Sequence, residues 1–330
     1  DKTPLEAAFT PNLDRLTQRG KTGSVYPVAK GIAPESDIAV ISLLGYDAHK
    51  YYTGRGPLEC FAEGLLVNEG DLALRVNFAT LESDGKTIKD RRVGRNLSQE
   101  EAAALAKELN LKVTLSGATF EFKNTIGHRG VLVIRGMRSK LSGWITNTDP
   151  AYAREGVFGI AKEKFANLVE ESRPMPGYEN SAEAKESAAL LNEFTQKSHK
   201  VLNDALINKK RASENKLAAN LILSRDAGER LPKFPPIETL YNINPALSNK
   251  ECDPELRKGG VKFGSFVEMP VERGIALLTG MQVISVPTST GHLDVDYPIW
   301  AKVALDSIPK YDGIYVHIKG PDEPAHDGDF

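Results

Sequence analysis

Residues 281–320, MQVISVPTSTGHLDVDYPIWAKVALDSIPKYDGIYVHIKG, alternate between two hydrophobic patterns. Residues 281–287 (MQVISVP) are apolar and β-branched and predict a strand, and residues 313–320 (GIYVHIKG) predict another. Between them, residues 296–308 (DYPIWAKVALDSI) predict a helix with Pro298 near its start. Strand, helix and strand at this spacing predict a βαβ unit in a parallel sheet, and therefore an α/β fold.

The beginning of the chain predicts further α/β elements. Thr10 and Pro11 are typical of a helix start, with Thr10 as N-cap, and Gly20 is a plausible end. Residues 23–28 (GSVYPV) predict a short strand. Residues 31–46 (GIAPESDIAVISLLGY) turn into a helix near Ser36.

The middle of the chain has a different pattern. Residues 98–110 (SQEEAAALAKELN) predict an amphipathic helix with a capping box, and residues 130–136 (GVLVIRG) predict a strand. Residues 181–210 predict one long helix whose apolar stripe contains Ala188, Leu191, Phe194, Leu202 and Ala205. We therefore predict an inserted domain over residues 73–257, with residues 1–72 and 258–330 folding together as one discontinuous domain.

Composition excludes several classes of partner. A net charge of -2 gives no case for nucleic acid or an anionic membrane, and no apolar run reaches the length of a membrane span. Cys60 and Cys252 are far apart and have neither metal nor redox spacing. Two thiols cannot form a disulfide framework, so we expect a cytoplasmic location.

Asp322 and His326 are spaced i, i+4 directly after the strand predicted at residues 313–320. Ligands gather beyond the carboxyl ends of strands in open parallel sheets, and a carboxylate with an imidazole suits a divalent ion such as Zn, Mn or Mg. An isolated aspartate and histidine at this spacing belong more often to a solvated polar loop than to a metal site. Zinc also needs at least three protein ligands, so two residues do not complete a site.

Ser36 stands where a helix begins, and two roles fit that position. A serine there is more often an N-cap than a reactive group. The alternative is a nucleophile, because a helix N-terminus offers free backbone N–H groups that can hold a phosphoryl group. A metal bound to the serine oxygen would activate it.

Arginines cluster near the predicted turns of the middle segment. Arginine forks bind phosphate and carboxylate bidentately, although most such residues taken singly are solvated surface groups. Two further polar residues, His128 and Asp149, lie near the same strands and are individually more typical of turns. The arginines are Arg91, Arg92, Arg95, Arg129 and Arg225.

Together these segments resemble one family. Residues 3–20 (TPLEAAFTPNLDRLTQRG) are similar to a helix of the alkaline phosphatase superfamily. The chain also resembles, nearly end to end, the archaeal-type 2,3-bisphosphoglycerate-independent phosphoglycerate mutases. The stretches are 31–47 (GIAPESDIAVISLLGYD), 51–59 (YYTGRGPLE), 77–95 (NFATLESDGKTIKDRRVGR), 127–136 (GHRGVLVIRG), 146–150 (TNTDP) and 317–330 (HIKGPDEPAHDGDF).

The resemblance implies an alkaline-phosphatase-like, mainly parallel sheet flanked by helices and interrupted by an inserted α/β phosphotransferase domain. It implies two divalent metal ions, usually Mn or Zn with Mg as a further option, and no requirement for bisphosphoglycerate. Ser36 matches the phosphorylated serine and is also a metal ligand, and Asp322 and His326 match two further metal ligands. The substrate-binding positions match His128, Arg129, Asp149 and Arg225, together with Arg91, Arg92 and Arg95.

The resemblance also implies metal-binding segments beyond both ends of the 330 residues. We therefore expect the chain to be truncated at both ends and inactive by itself. His292 stands where the family usually has a small residue, and we expect its imidazole to face solvent.

The implied activity is the interconversion of 3-phosphoglycerate and 2-phosphoglycerate in glycolysis through a phosphoserine intermediate. Two other functions stay open. A metal-dependent phosphomonoesterase would use the same serine and metals but let water take the phosphoryl group. A catalytically silent relative would act as a binding module, although Ser36, Asp322 and His326 are intact.

Overall fold

The structure is a computed structural model that describes residues 4–32, 34–241, 261–290, 292–318 and 320. The helices are α1 (Pro4–Ala7), α2 (Pro11–Arg19), α3 (Ser36–Leu43), α4 (Ala48–Tyr51), α5 (Arg55–Ala62), α6 (Gln99–Lys112), α7 (Ala182–Asp204), α8 (Leu206–Ser213), α9 (Ile237–Leu240), α10 (Pro270–Leu278) and α11 (Leu293–Ser307). The strands are β1 (Leu72–Leu81), β2 (Ile88–Asp90), β3 (Ala118–Asn124), β4 (Arg129–Gly136), β5 (Tyr152–Glu155), β6 (Phe158–Ala161), β7 (Leu221–Gly228), β8 (Phe263–Val267), β9 (Gln282–Val283) and β10 (Gly313–His317).

The larger sheet is antiparallel and is built around β1. Strand β4 pairs with one edge of β1 and β7 with the other, β3 continues the sheet beyond β4, and β2 pairs with the end of β1. One face of this sheet packs against α6 and α7. The residues in this core include Leu74, Val76, Phe78, Leu105 and Phe194.

Helix α5 covers part of the opposite face of the same sheet. Cys60 on α5 packs with Ala73, Val131 and Val133, which alternate with the residues of the main core along β1 and β4. Gly56 brings the helix close to the strands, because a Cβ there would lie 2.5 Å from the Ala73 carbonyl oxygen. The rest of this face carries the polar side chains of the candidate site.

The smaller sheet is parallel, with β8 between β9 and β10. Helix α11 connects β9 to β10, so residues 281–320 contain the expected order of strand, helix and strand. Helix α10 follows β8 and packs against α3 and α5 through Ile41, Leu58, Val271 and Ile275. The described chain is therefore a mixed α/β fold with one antiparallel and one parallel sheet.

Two predicted strands differ from the structure. Residues 23–28 form no strand, and Val25 and Tyr26 are exposed. Pro27 has no N–H to donate to a ladder, which disfavours pairing at this position. In residues 281–287 only Gln282–Val283 form a strand. The pairing with β8 ends one residue later, where the Ile284 N–H donates to the Ser265 carbonyl.

Two predicted helix features also need correction. The helix predicted over residues 181–210 is interrupted at Ala205, whose extended backbone (φ -61°, ψ 133°) separates α7 from α8. Ser36 is not an N-cap, because Glu35 occupies that position and Ser36 is the first residue of α3. The capping box of Ser98 and Glu101 and the N-cap position of Thr10 are confirmed.

Candidate active site

Ser36 lies at the start of α3, where backbone N–H groups point out of the helix. The Glu35 carbonyl accepts the first helical hydrogen bond, from the Ala39 N–H, so the N–H groups of the first turn have no carbonyl partner within the helix. The Ile38 N–H among them donates to Asp37 Oδ1, while the N–H groups of Ser36 and Asp37 and the helix dipole favour a negatively charged ligand. The half-buried Ser36 hydroxyl therefore stands at a position suited to a phosphate.

Carboxylates flank Ser36 on both sides. Glu35 Oε2 lies 3.5 Å from Arg55 Nη1. Burial, followed by the charges of Asp226 and Asp37, raises the pKa of Glu35 to about 7. Asp37 is buried and accepts a hydrogen bond from the Tyr52 hydroxyl, and burial raises its pKa as well.

A row of buried ion pairs leads from Glu35 to the larger sheet. Arg55 also donates from Nε to Glu59 Oε1 at 2.6 Å, and Glu59 Oε2 lies 3.4 Å from Arg75 Nε. Arg55, Glu59 and Arg75 are all buried. Ion pairs among buried groups are weakly screened by salt, so the charges of these three residues stay coupled at physiological ionic strength.

The polar face of the larger sheet holds a second buried arginine beside Arg75. Arg225 on β7 lies directly opposite Arg75 on β1, and its guanidinium carbon lies 3.7 Å from the centre of the Tyr152 ring. Its neighbour Asp226 has a left-handed backbone (φ 58°), which is uncommon outside glycine, and it lies where the pairing of β1 with β7 shifts register. Asp226 Oδ2 lies 3.4 Å from Arg225 Nε.

Several buried polar atoms of this face have no hydrogen-bond partner among the residues that the structure describes. They are Arg75 Nε, Asn77 Oδ1, Asp226 Oδ2 and both Nε and Nη1 of Arg225. Burial of a polar group without a partner is costly, so each such group in a folded protein calls for an explanation. Donors of two arginines facing one region are suited to an anionic ligand.

Arg91 and Asp149 form a pair with each other. Arg91 donates to both carboxylate oxygens of Asp149, at 2.8 and 2.5 Å, and its guanidinium lies 5.3 Å from the centre of the Tyr152 ring. Tyr152 therefore stands between Arg91 and Arg225 and connects two of the predicted substrate-binding arginines. Asp149 is almost fully buried and acts here as the partner of Arg91.

Arg92 and Arg95 border a separate basic cleft. A cavity of about 470 Å³ is lined by Lys89, Arg91, Arg92 and Arg95, and neither Ser36 nor Arg225 takes part in it. The backbone that presents Arg95 is strained, because Val93, Gly94 and Arg95 have φ angles of 53°, 62° and 54°. This cleft lies beside the polar face that carries Arg75 and Arg225, and it is distinct from the start of α3.

His128 and Arg129 lie at the beginning of β4, next to the polar residues of β1. Asn77 pairs with Arg129 in the sheet, and the Phe78 N–H donates to the His128 carbonyl. Burial, followed by the charges of Arg129 and Arg92, lowers the pKa of His128 to about 4. The His128 imidazole is therefore neutral at physiological pH and can both donate and accept a hydrogen bond.

Asp322 and His326, predicted as metal ligands, lie outside the described residues. Within the described ranges, no group of three or more His, Cys, Asp or Glu side chains is arranged to hold a metal ion. Ser36 is the one predicted metal ligand that the structure describes. His292 is exposed at the start of α11, in agreement with the expected orientation toward solvent.

Comparison with known proteins gives one consistent result. A family model described as 2,3-bisphosphoglycerate-independent phosphoglycerate mutase matches residues 17–208. A relative of that name from Aeropyrum pernix is 42% identical over 327 residues, which cover 99% of this chain and 72% of the relative. Another from Ignicoccus hospitalis is 36% identical over 332 residues, covering 100% of this chain and 71% of the relative.

The chain belongs to this family.

Solved structures agree with the assignment. A cofactor-independent phosphoglycerate mutase from Thermoplasma acidophilum is 29% identical, with a TM-score of 0.55, over 96% of this chain and 72% of its own. A protein from Pyrococcus horikoshii is 26% identical, with a TM-score of 0.67, over 99% of this chain and 67% of its own. The resemblance derived from the sequence is thereby confirmed. Along the described residues, no helix is both long and apolar enough to cross a bilayer.

Several residues of this mutase-family chain that share the polar face with Arg225 were not predicted from the sequence. The strand 72–81 (LALRVNFATL) contained a signal, because Arg75 and Asn77 occupy alternate positions among apolar residues and so face one side of the sheet. Glu59 had a local signal in its i, i+4 spacing from Arg55, but its contact with Arg75 joins α5 to β1 and is not encoded in any spacing. Tyr152 was missed because its partners Arg91 and Arg225 come from other segments of the chain.

Proposed function

We propose that this protein interconverts 3-phosphoglycerate and 2-phosphoglycerate, with Ser36 carrying the phosphoryl group between the two forms of the substrate. Family membership supports the overall reaction, and the position of Ser36 at the start of α3 supports its role. The same family requires no bisphosphoglycerate, because the phosphoryl group returns to the molecule from which it came.

One observation carries the proposal. The buried row of Arg55, Glu59 and Arg75 connects Glu35, next to Ser36, with the polar face of the larger sheet. A phosphoryl-accepting hydroxyl and guanidinium groups able to bind an anion therefore lie at two ends of one ion-pair network. A mutase needs both, because it must transfer the phosphoryl group and retain the glycerate.

In the proposed reaction, the Ser36 oxygen forms a bond to phosphorus while the bond from phosphorus to the glycerate oxygen breaks. The Ser36 hydroxyl gives up its proton as this bond forms, and the departing glycerate oxygen takes up a proton and becomes a hydroxyl. The glycerate then turns, and its other hydroxyl loses its proton and forms a bond to phosphorus, while the Ser36 oxygen leaves and is protonated again. The backbone N–H groups at the start of α3 stabilise the charge on the phosphoryl oxygens.

Two divalent metal ions, Mn or Zn with Mg as a further option, complete the proposed site. When bound, they would stabilise the negative charge of the phosphoryl group. Ser36, Asp322 and His326 are the proposed protein ligands in this chain. Arg91, Arg92, Arg95, His128, Arg129, Asp149 and Arg225 are the proposed substrate-binding residues.

The domain arrangement is part of the same proposal. Residues 1–72 and 258–330 would form the phosphatase-like domain, with its mainly parallel sheet, and residues 73–257 the inserted phosphotransferase domain. The packing of α10 against α3 and α5 supports the first unit, since these helices come from the two ends of the chain. The antiparallel sheet formed within residues 72–228 supports the second.

The test uses protein expressed from its complete reading frame and loaded with Mn²⁺. Phosphorus NMR should show 3-phosphoglycerate converting to 2-phosphoglycerate without added bisphosphoglycerate, while the total phosphoester signal stays constant. Ser36→Ala should abolish the conversion without altering thermal unfolding. Accumulation of inorganic phosphate would indicate a hydrolase instead, and unchanged substrate would indicate a binding protein.

A further inference from the structure

Arg75 and Arg225 form an unusual pair in the larger sheet. They are direct neighbours across β1 and β7, and each is about 7% exposed. Like charges placed opposite each other destabilise a sheet, and burial increases the cost. The sheet gains no stability from this arrangement, so the two arginines call for an explanation other than folding.

The nearby carboxylates leave several guanidinium nitrogens of this arginine pair without a hydrogen bond. Glu59 Oε2 and Asp226 Oδ2 each lie 3.4 Å from an arginine Nε, yet neither contact has hydrogen-bond geometry. Arg225 Nη1 also has no hydrogen-bond partner among the described residues, although Asp226 and Tyr152 stabilise the charge of this guanidinium. Three buried guanidinium nitrogens, Arg75 Nε and both Nε and Nη1 of Arg225, thus make no hydrogen bond with the described part of the chain.

Arg75 keeps its charge at neutral pH. Burial, followed by the charges of Arg225 and Arg55, lowers its pKa to about 10, which is still well above the physiological range. Glu59 is ionised at the same pH, because Arg75 and Arg55 outweigh the effect of burial and lower its pKa to about 2. Glu59 thus holds Arg55 with one oxygen and approaches Arg75 with the other, which limits the positions that Arg75 can adopt.

The chemistry of the reaction identifies a suitable anion. While the phosphoryl group is on Ser36, the bound glycerate has one charged group, its carboxylate. The glycerate must stay bound at this stage, because its loss would end the reaction with a trapped phosphoserine. A carboxylate has two oxygens, and paired guanidinium groups bind such an anion in a defined orientation.

We infer that Arg75 and Arg225 together hold the carboxylate of glycerate during the phosphoserine stage, with Glu59 positioning Arg75. Asn77 lies on the same face as Arg75, and its unpartnered Oδ1 accepts a hydrogen bond from a glycerate hydroxyl. The inference rests on the proposed function and adds Arg75 and Asn77 to the substrate-binding residues. Its consequence is that retention of glycerate depends on Arg75.

The variant Arg75→Lys tests this consequence. Lysine keeps the charge beside Glu59, so folding is preserved, but it cannot present two parallel N–H groups to a carboxylate. We expect KM for 3-phosphoglycerate to rise roughly 10- to 100-fold, the range expected on losing a charge-assisted hydrogen bond. Phosphorylation of Ser36 should persist, because Arg75 does not contact the serine in this account.

Isotope exchange provides a readout that a purely structural role would not change. Unmodified enzyme should incorporate little carbon-labelled free glycerate into phosphoglycerate, because the original glycerate stays bound. Arg75→Lys should incorporate label and release more inorganic phosphate per turnover, since water reaches the phosphoserine after glycerate leaves. Arg173→Gln, at an exposed arginine paired with Glu171, is the matched control and should behave like the unmodified enzyme.

The outcomes separate this inference from the proposed function. If the unmodified enzyme fails to interconvert phosphoglycerates, the proposed function is wrong. If it succeeds and Arg75→Lys shows normal KM and no exchange, only the carboxylate assignment is wrong. If Arg75→Lys fails to fold, Asn77→Ala tests the carboxylate assignment instead, because this change removes no charge. Increased exchange of labelled glycerate supports the assignment, and unchanged exchange contradicts it.

Discussion

His128 is held in its neutral form by its surroundings. Its pKa falls from the usual 6.5 to about 4, because the side chain is partly buried and lies near Arg129 and Arg92. Between these two pH values the unfolded chain binds a proton at this residue and the folded chain does not. The contribution of His128 to stability is therefore present above pH 6.5 and is lost as the pH falls toward 4.

We predict that the His128 imidazole titrates near pH 4 in the folded protein, as followed by NMR of histidine labelled with carbon-13. His128→Gln identifies the signal among those of the six histidines. The same residue should titrate near 6.5 when the protein is unfolded in urea. A folded-state midpoint near 6.5 would contradict the effect of both burial and the neighbouring arginines on this ring.

The sequence predicted some residues of the candidate site and missed others for a physical reason. Arg225 was predicted because it matches a substrate-binding position of the family, and the structure places it among buried polar groups. Arg75 lies within β1, a strand that was not predicted from the sequence. Tyr152 contacts Arg91 and Arg225 only after three distant segments have come together, and no spacing in the chain encodes that contact.

Helix α5 connects the antiparallel sheet with helix α10. One side of it contacts β1 and β7, and Leu58 packs with Val271 and Ile275 of α10. Its close approach to the sheet depends on Gly56, where a Cβ would lie 2.5 Å from the Ala73 carbonyl oxygen and 2.6 Å from that of Asp226. Both are backbone atoms, so neither can move aside easily.

We predict that Gly56→Ala lowers the free energy of unfolding by about 1–3 kcal/mol, as overpacking does. An exposed helical glycine gives the opposite result, since alanine is the better helix former by about 1 kcal/mol. Urea unfolding followed by circular dichroism measures the difference. Gly23→Ala, where nothing lies within 4 Å of the added Cβ, should change stability by less than about 0.5 kcal/mol. Equal values for the two variants would contradict the close packing of α5.

Elements with a local signal were predictable, and those that depend on partners were not. The capping box fixed the start of α6, and the apolar stripe placed the core face of α7. Residues 23–28 have the composition of a strand, but pairing requires a neighbouring strand with matching donors. The predicted apolar stripe ends at Ala205 itself, and the buried residues of α8 are the polar Asn208 and Arg211, so the stripe did not reveal the break.

At the scale of the whole molecule, one network of charges joins the start of α3 to the antiparallel sheet. Ser36 lies at the start of α3, and the antiparallel sheet presents Arg75 and Arg225. Glu59 on α5 contacts Arg55 of its own helix and Arg75 of β1. In the proposed reaction, phosphoryl transfer at α3 and glycerate retention at the antiparallel sheet are separate tasks, and a mutase needs both.

The location of the transferred phosphoryl group tests this account most directly. Protein expressed from its complete reading frame is incubated briefly with 3-phosphoglycerate, quenched in acid, cleaved with trypsin and analysed by mass spectrometry. The tryptic peptide of residues 31–50 contains Ser36 and Ser42, and fragmentation distinguishes them. We predict phosphate on Ser36 and none on Ser42. Phosphate on any other residue, or active enzyme with no phosphopeptide, would contradict the role of Ser36.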